Sequence, residues 1–426
     1  MADRDIFRAP VGTYDVLPPE SERWIALVAD FGARASRFGF DLVVTPLFEH
    51  REVFERVGES TDIVRKEMYE FEDKGGRSIV LRPDGTAPTV RAYLQHRPTP
   101  PWKVWYVSPH FRYERPQRGR NRQFFQVGAE ALGVDDPEID IEVIDLAWGF
   151  YRDLGLTGVS LMLNTMGDEE SRARYVAALR AYYSSHAAAL GSDFAERVEQ
   201  NPLRLFDAKR DDWLEVIEKA PQITEHLNDD SFAHFEQVQR GLDDLGIPYE
   251  IDPRLVRGLD YYTSTTFEFT SDVFDSAQNA VGGGGRFDRL AEAMGGPPTP
   301  GIGFAIGIDR LLLACDEKKV FEVPAPAADV FVVNGLGPAG AREVTLLGAE
   351  LRENGFRAER GYDDKSVKTQ WKLADRSHAV FGIMLGKAEA ERNAVAVKDL
   401  RTGEQVEVER NLLVGWLQQR LEQAPS

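Results

Sequence analysis

Between Trp102 and Gly133 the chain carries two stretches of alternating character, WKVWYVSPHFRYE and RQFFQVGAEALG, with the run RPQRGRN between them. Side chains along a strand point to opposite faces in turn, so the segment reads as two long antiparallel strands joined by an arginine-rich loop. On the second strand Arg122, Phe124, Gln126, Gly128 and Glu130 share one face. That face makes a poor core: it offers an aromatic ring for a base to stack on, an amide, a backbone-sized gap and a carboxylate. Arg112 ends the first strand, and the loop adds Arg115, Arg118 and Arg120 against the single acid Glu114. Guanidinium groups in such number suit a triphosphate and the charge of its transition state. A solvated hairpin would explain an isolated RxER, but it leaves the polar strand face without a purpose.

The remaining composition bounds the setting. A chain of 426 residues, 42% hydrophobic and 28% charged, has material for two or three globular domains. The opening MADRDIFRAP has no apolar leader core, and no run of eighteen apolar residues occurs, so a cytoplasmic address and no membrane span are expected. One cysteine, Cys315, precludes an internal disulfide, and the seven histidines lack metal-ligand spacing; no protein-bound metal is expected. A net charge of −19 excludes non-specific nucleic-acid binding and leaves room only for local RNA contacts.

Helical spacing of apolar residues runs from Ser21 to Phe38, and Gly39 supplies a stop. The following DLVVTPLFEH reads as an edge or interface strand, because Pro46 cannot donate to a ladder. SIVLRP is strand-like, and EIDIEVIDLAWGFYRDLG is an amphipathic helix. From about Gly167 to Gly246 helix formers and acids dominate, which reads as a helical insertion. Strands return at TSTTFEFT, a glycine run occupies Gly282 to Gly285, and GIGFAIGIDRLLLACDE is a strand running into a helix. VPAPAA, around Pro324 and Pro326, reads as a linker. Beyond it, strands and helices alternate as in a small α/β domain with a mixed sheet. The expected domains are therefore residues 1–325, carrying the insertion, and 326–426.

The run FRYERPQRGRNRQFFQVGAE resembles motif 2 of class II aminoacyl-tRNA synthetases in its histidyl form. The resemblance implies that Arg112 grips the α-phosphate of ATP, Glu114 and Arg120 hold the bent triphosphate, and Phe124 stacks on adenine. It also implies that Gln126 meets the polar end of the amino acid and that Glu130 accepts a hydrogen bond from an imidazole. LVRGLDYYTSTTFEF, Leu255 to Phe269, resembles the signature peptide of the histidyl enzymes. There Arg257 takes a catalytic role, and Tyr261 and Tyr262 shape the imidazole pocket; taken alone, paired tyrosines on a strand need only β-propensity.

In LRPDGTAPTVRAYL, polar residues at a helix start are commonly caps. The resemblance assigns Asp84 and Thr86 to the α-amino group, with Asp84 standing where many bacterial relatives have Glu, so the backbone must approach closer. GIGFAIGIDRLLLA resembles motif 3, whose arginine for ATP is Arg310; its GxGxxxG spacing is not that of a dinucleotide fold. Phe287 replaces the family's usual tyrosine and has no hydroxyl to offer.

Together these segments imply an α+β class II synthetase fold: an antiparallel sheet flanked by helices, with a helical insertion and a C-terminal α/β anticodon-binding domain. Gly39 to Pro46 resembles the motif 1 dimer strand, which implies a homodimer. Lys365, Lys368, Lys372 and Arg376 are placed to touch RNA phosphates, although a solvent-facing charged helix explains them as well. The implied partners are L-histidine, ATP with Mg2+, and tRNA(His). Two rivals stand beside this reading. One is a non-catalytic synthetase-like regulatory subunit of ATP phosphoribosyltransferase, which usually lacks the C-terminal domain and has a degraded signature peptide. The other is a synthetase of the same subclass for a different amino acid.

Overall fold

A computed structural model describes residues 7–58, 63–208, 210–256, 261–274, 279–323, 328–362 and 365–422. Arg257 and the linker prolines Pro324 and Pro326 lie outside the described residues. The chain divides into two compact units, Met1–Val323 and Pro324–Ser426.

In the first unit, helix α1 (Glu20–Arg37) ends where Gly39 takes φ +75°, and the chain turns into β1 (Asp41–Leu42). The apolar run containing Pro46 does not form one strand. It splits into β1 and β2 (Phe48–His50), which belong to different sheets. After α2 (Arg51–Gly58), β3 (Tyr69–Glu72) and β4 (Ser78–Leu81) complete a three-stranded sheet with β2 at its edge. Next come α3 (Thr86–His96), the long pair β5 (Trp102–Phe111) and β6 (Gln123–Leu132), α4 (Pro137–Asp153) and β7 (Val159–Thr165). Helices α5 (Glu169–Leu190), α6 (Ser192–Gln200), α7 (Asp211–Glu218) and α8 (Asp229–Asp244) precede β8 (Tyr249–Ile251). The unit closes with β9 (Thr263–Ser271), β10 (Ala280–Arg286), α9 (Leu290–Ala293), β11 (Gly301–Gly307) and α10 (Ile308–Lys318).

The large sheet runs β1-β5-β6-β11-β10-β9-β7-β8. Its interior pairings are antiparallel, but β1 pairs parallel to β5 and β7 parallel to β8. The sheet is therefore antiparallel through its interior, as expected, and parallel at its two edges. Parallel neighbours need long crossovers, and these edges have them: the whole helical stretch α5 to α8 separates β7 from β8.

Helices α1, α4 and α8 cover one face of the sheet, with Phe31, Ile144, Phe150, Phe235 and Leu242 buried against Val127, Phe267 and Phe304. Trp24 meets Phe125 edge-on at 5.4 Å, so Phe125 faces these helices. By the alternation of β6, Phe124 and Gln126 face the opposite side. Within the helical stretch, α5 to α7 enclose a core of their own around Tyr175, Tyr183, Phe194 and Trp213, whereas α8 packs into the core of the large sheet.

The second unit contains β12 (Val330–Asn334), α11 (Ala341–Glu353), β13 (Ala358–Arg360), α12 (Val367–Arg376), β14 (Phe381–Leu385), α13 (Lys387–Glu391), β15 (Ala394–Asp399), β16 (Gln405–Glu409) and α14 (Leu413–Glu422). Its mixed sheet, β13-β12-β14-β15-β16, has the expected element order apart from the short α13. Val332, Leu347, Ile383, Val395 and Leu417 form its core.

Candidate active site

The turn Pro83–Gly85 brings α3 up against β5 and β6. Asp84 is buried, and its Oδ1 accepts the Ala87 amide at 3.1 Å, which satisfies one of the free donors at the helix start. Burial raises the Asp84 carboxyl pKa above its ordinary value, while the Ala87 amide and Arg112 pull it back. A cavity of about 140 Å³ opens here, lined among others by Asp84, Thr86, Tyr106, Gln126, Tyr261 and Tyr262.

Glu130 lies beside this cavity with no solvent exposure. Thr86 Oγ1 donates to its Oε1 at 2.7 Å, and the Tyr106 hydroxyl donates to the same oxygen at 3.3 Å. Its Oε2 is buried and has no hydrogen-bond partner among the described residues, so one hydrogen-bonding position is left for a guest. Burial pushes the Glu130 pKa well up; the Thr86 bond opposes this, and nearby Asp84 adds to it. The Tyr261 and Tyr262 rings stand 4.7 Å apart, with Phe287 edge-on behind Tyr261 at 6.1 Å. Phe287 is fully buried and acts as an apolar backing.

Tyr106 went unnoticed in the sequence, yet a signal for it existed. It pairs in register with Gly128, the gap noted on β6. A β-carbon at Gly128 or at Gly85 would come within 2.4 Å of the Tyr106 ring, so the two glycines make the slot through which its hydroxyl reaches Glu130.

A second cavity, about 360 Å³, shares Arg112, Gln126 and Ala305 with the first. Glu114, Arg120, Phe124 and Arg310 line it, as do Glu268 and Asp309, which the sequence reading did not single out. Arg112 Nε donates to the Pro83 carbonyl at 3.0 Å, and its guanidinium lies 5.3 Å from the centre of the Phe124 ring. Arg120 pairs with Glu114 at 3.8 Å. Arg310 Nε donates to the Ala280 carbonyl at 2.8 Å, and its guanidinium lies 4.3 Å from the Phe274 ring. Burial, followed by the charge of Arg120, lowers the Arg310 pKa.

The loop arginines do not act as one cluster. Arg118 turns to the surface and pairs with Glu317 at 2.6 Å, Arg122 lies over Tyr113 at 3.9 Å, and Arg115 is exposed. Of the five, only Arg112 and Arg120 line the cavity, because side-chain direction in a loop does not follow strand alternation. Arg257 lies outside the described residues.

Residues 12–311 match the family model for histidyl-tRNA synthetase. The chain belongs to the histidyl-tRNA synthetase family. Residues 331–420 match the anticodon binding domain model. The histidine-tRNA ligase of Listeria monocytogenes serovar 1/2a is 46% identical over 412 residues, covering 95% of this chain and 96% of that protein. That of Bacillus subtilis (strain 168) is 47% identical over 409 residues, covering 94% and 96%. The crystal structure of apo S. aureus histidyl-tRNA synthetase aligns with a TM-score of 0.83 at 39% identity, covering 97% of this chain and all 100% of the other. The first unit thus has the class II synthetase catalytic fold of this family, and the second is its anticodon-binding domain.

Proposed function

We propose that the chain is a histidine-tRNA ligase: it activates L-histidine with ATP to histidyl-adenylate and pyrophosphate, then transfers histidine to the 3′ end of tRNA(His). The observation that carries this reading is the junction of the two cavities at Arg112 and Gln126. An amino acid in the smaller cavity and a nucleotide in the larger one meet there.

In the smaller cavity Asp84 and Thr86 receive the α-ammonium group. Thr86 has already spent its one hydroxyl proton on Glu130, so only its lone pairs remain, and an ammonium needs acceptors. Gln126 faces the carboxylate end, and Glu130, with Tyr261 and Tyr262, holds the imidazole. A pocket built on hydrogen bonds rejects analogues that leave its buried groups unpaired.

In the larger cavity Phe124 stacks on adenine, Glu114 and Arg120 hold the bent triphosphate, and Arg310 faces the phosphates. The histidine carboxylate attacks the α-phosphorus in line and pyrophosphate leaves; the terminal ribose hydroxyl of the tRNA then attacks the activated carbonyl and AMP leaves. Arg112 and Arg257 stabilise the charge that grows at the α-phosphate, an effect of about 3 kcal/mol each by analogy with oxyanion donors. Among the described residues no cluster of three His, Cys, Asp or Glu side chains is placed to hold a metal. Glu114 and Glu268, which line the larger cavity, would be the carboxylates around a magnesium ion carried by the nucleotide, and that ion would neutralise phosphate charge.

For tRNA, the second unit takes the anticodon. A groove of about 430 Å³ between residues 65–66 and the small helical core gathers Arg65, Lys66, Arg197, Arg204 and Arg210 around Trp213, with Asp193 and Glu196 as its acids, so its lining is basic on balance within a chain of net charge −19. The homodimer reading is supported by Leu42, Val44 and Phe48, which are 55%, 80% and 57% exposed on the strip around Pro46. No described helix is long and apolar enough to cross a membrane, and the site of action proposed is the cytoplasm.

Pyrophosphate exchange measured with each of the twenty amino acids tests the reading. Exchange with histidine alone is expected; exchange with another amino acid would reject the specificity, and none at all would reject the enzyme. The regulatory-subunit reading gains nothing from the site, since a histidine sensor needs no arginine-lined second cavity.

A further inference from the structure

The larger cavity contains one half-buried carboxylate that the reaction above does not use. Asp309 is the second residue of α10, next to Arg310. Its Oδ1 accepts a hydrogen bond from the Tyr14 hydroxyl, 295 positions away in the chain, and its Oδ2 accepts one from Asn121 Nδ2 at 3.2 Å. Both donors are neutral, although the cavity holds three arginines. Burial raises the Asp309 pKa above the ordinary carboxylate value, and the two bonds work against that rise.

The three elements that meet at this carboxylate come from distant parts of the chain. The N-terminal strap is laid along the base of the hairpin, where the Gly12 carbonyl accepts the amides of Arg122 at 2.8 Å and Gln123 at 3.2 Å. Gly12 has φ +83°, and a β-carbon there would press within 2.6 Å of the Arg122 side chain, so the strap lies directly on it. Asn121 follows Arg120 in the arginine loop. The same loop touches α10 at Gly119, where a β-carbon would be 3.2 Å from Arg310 Cγ. Arg120 and Arg310 are near enough that the charge of Arg120 depresses the Arg310 pKa. Two guanidinium groups held this way repel each other, and a neutral-donor clasp on a carboxylate resists that repulsion without adding a third cation.

We propose that Asp309 is a positioning residue for nucleotide binding: through Tyr14 and Asn121 it pins the arginine loop against the start of α10 and holds Arg120 and Arg310 at the spacing a polyphosphate requires. The proposal rests on the reading of the larger cavity as the ATP site. Prearranged charges bind tightly because less ordering remains to be done when the ligand arrives. The N-terminal strap thereby becomes part of the nucleotide site without touching the nucleotide.

Calorimetric binding of ATP and of histidine, and their KM values in pyrophosphate exchange, are compared for the parent, Tyr14→Phe, Asp309→Ala and the double variant. ATP affinity is expected to fall about tenfold in each single variant, the loss typical of a hydrogen bond to a charged group, with histidine affinity within about twofold of the parent. The double variant is expected to match Asp309→Ala, because both changes open the same clasp. Unchanged ATP affinity, equal losses for the two ligands, or fully additive losses would each overturn the proposal. Tyr14→Phe removes one oxygen from a half-exposed ring, so it keeps the test valid even where Asp309→Ala melts early. A parent protein that binds no ATP would instead defeat the nucleotide reading itself.

Discussion

Gly303 lies directly across from Glu130 on the neighbouring strand, and a β-carbon at position 303 would come within 1.7 Å of Glu130 Oε2. The unpartnered oxygen of Glu130 is therefore housed in the space of a missing side chain. Gly303→Ala is expected to displace the carboxylate and weaken histidine binding by at least about tenfold, with an overpacking cost of about 1 to 3 kcal/mol in stability. ATP binding should stay near the parent value. Separate calorimetric titrations with the two ligands check this; parallel losses would place Glu130 outside the histidine site.

The pH dependence of stability follows from Glu130 itself. Its pKa in the folded chain lies well above 4.5 because of burial, so the folded state holds a proton that the unfolded chain has already released. Between the two values the folded state binds more protons, and stability falls as pH rises. Glu130→Gln is permanently neutral. It is expected to melt at a higher temperature than the parent at about pH 8, with the gap closing toward about pH 5, while its histidine KM rises far more than its ATP KM. A constant gap across that range would mean that Glu130 does not titrate as its burial requires.

Arg112 touches both cavities through one planar group, with Nε on the Pro83 carbonyl and the guanidinium face against Phe124. Lysine keeps the charge but loses the fork and the stacking plane. Arg112→Lys is expected to slow histidine-dependent pyrophosphate exchange by about a hundredfold with unchanged melting. Near-normal exchange would show that charge alone suffices there.

Arg257→Ala is expected to suppress the same exchange by several orders of magnitude while circular dichroism and melting stay near those of the parent. An active variant would remove Arg257 from the chemistry and leave Arg112 as its principal cation.

The residues show where local pattern suffices. Strand alternation by itself put Phe124, Gln126 and Glu130 on one face of β6, and the structure places the first two on cavity walls and the third, fully buried, behind one of them. Element order in the second unit was equally legible, because short αβ alternation leaves few arrangements. Alternation says nothing about a loop, so it did not separate Arg120, which lines the cavity, from Arg118, which pairs with Glu317. Nor does it reach across the chain: Tyr106 reaches Glu130 through its register with Gly128, and Asp309 takes its donors, Tyr14 and Asn121, from distant segments.

The sequence alone determined which residue types were present at which spacing: the arginine-rich hairpin, the paired tyrosines, and the glycines that leave space. Those patterns were enough to reveal the family, because they are written in contiguous segments. Only the tertiary structure decided which of these groups share a cavity, that the sheet has parallel edges, and that one buried carboxylate oxygen has no partner. The physical reason is that burial and partnership are properties of pairs of residues brought together from distant parts of the chain, and no local period encodes a distance between them.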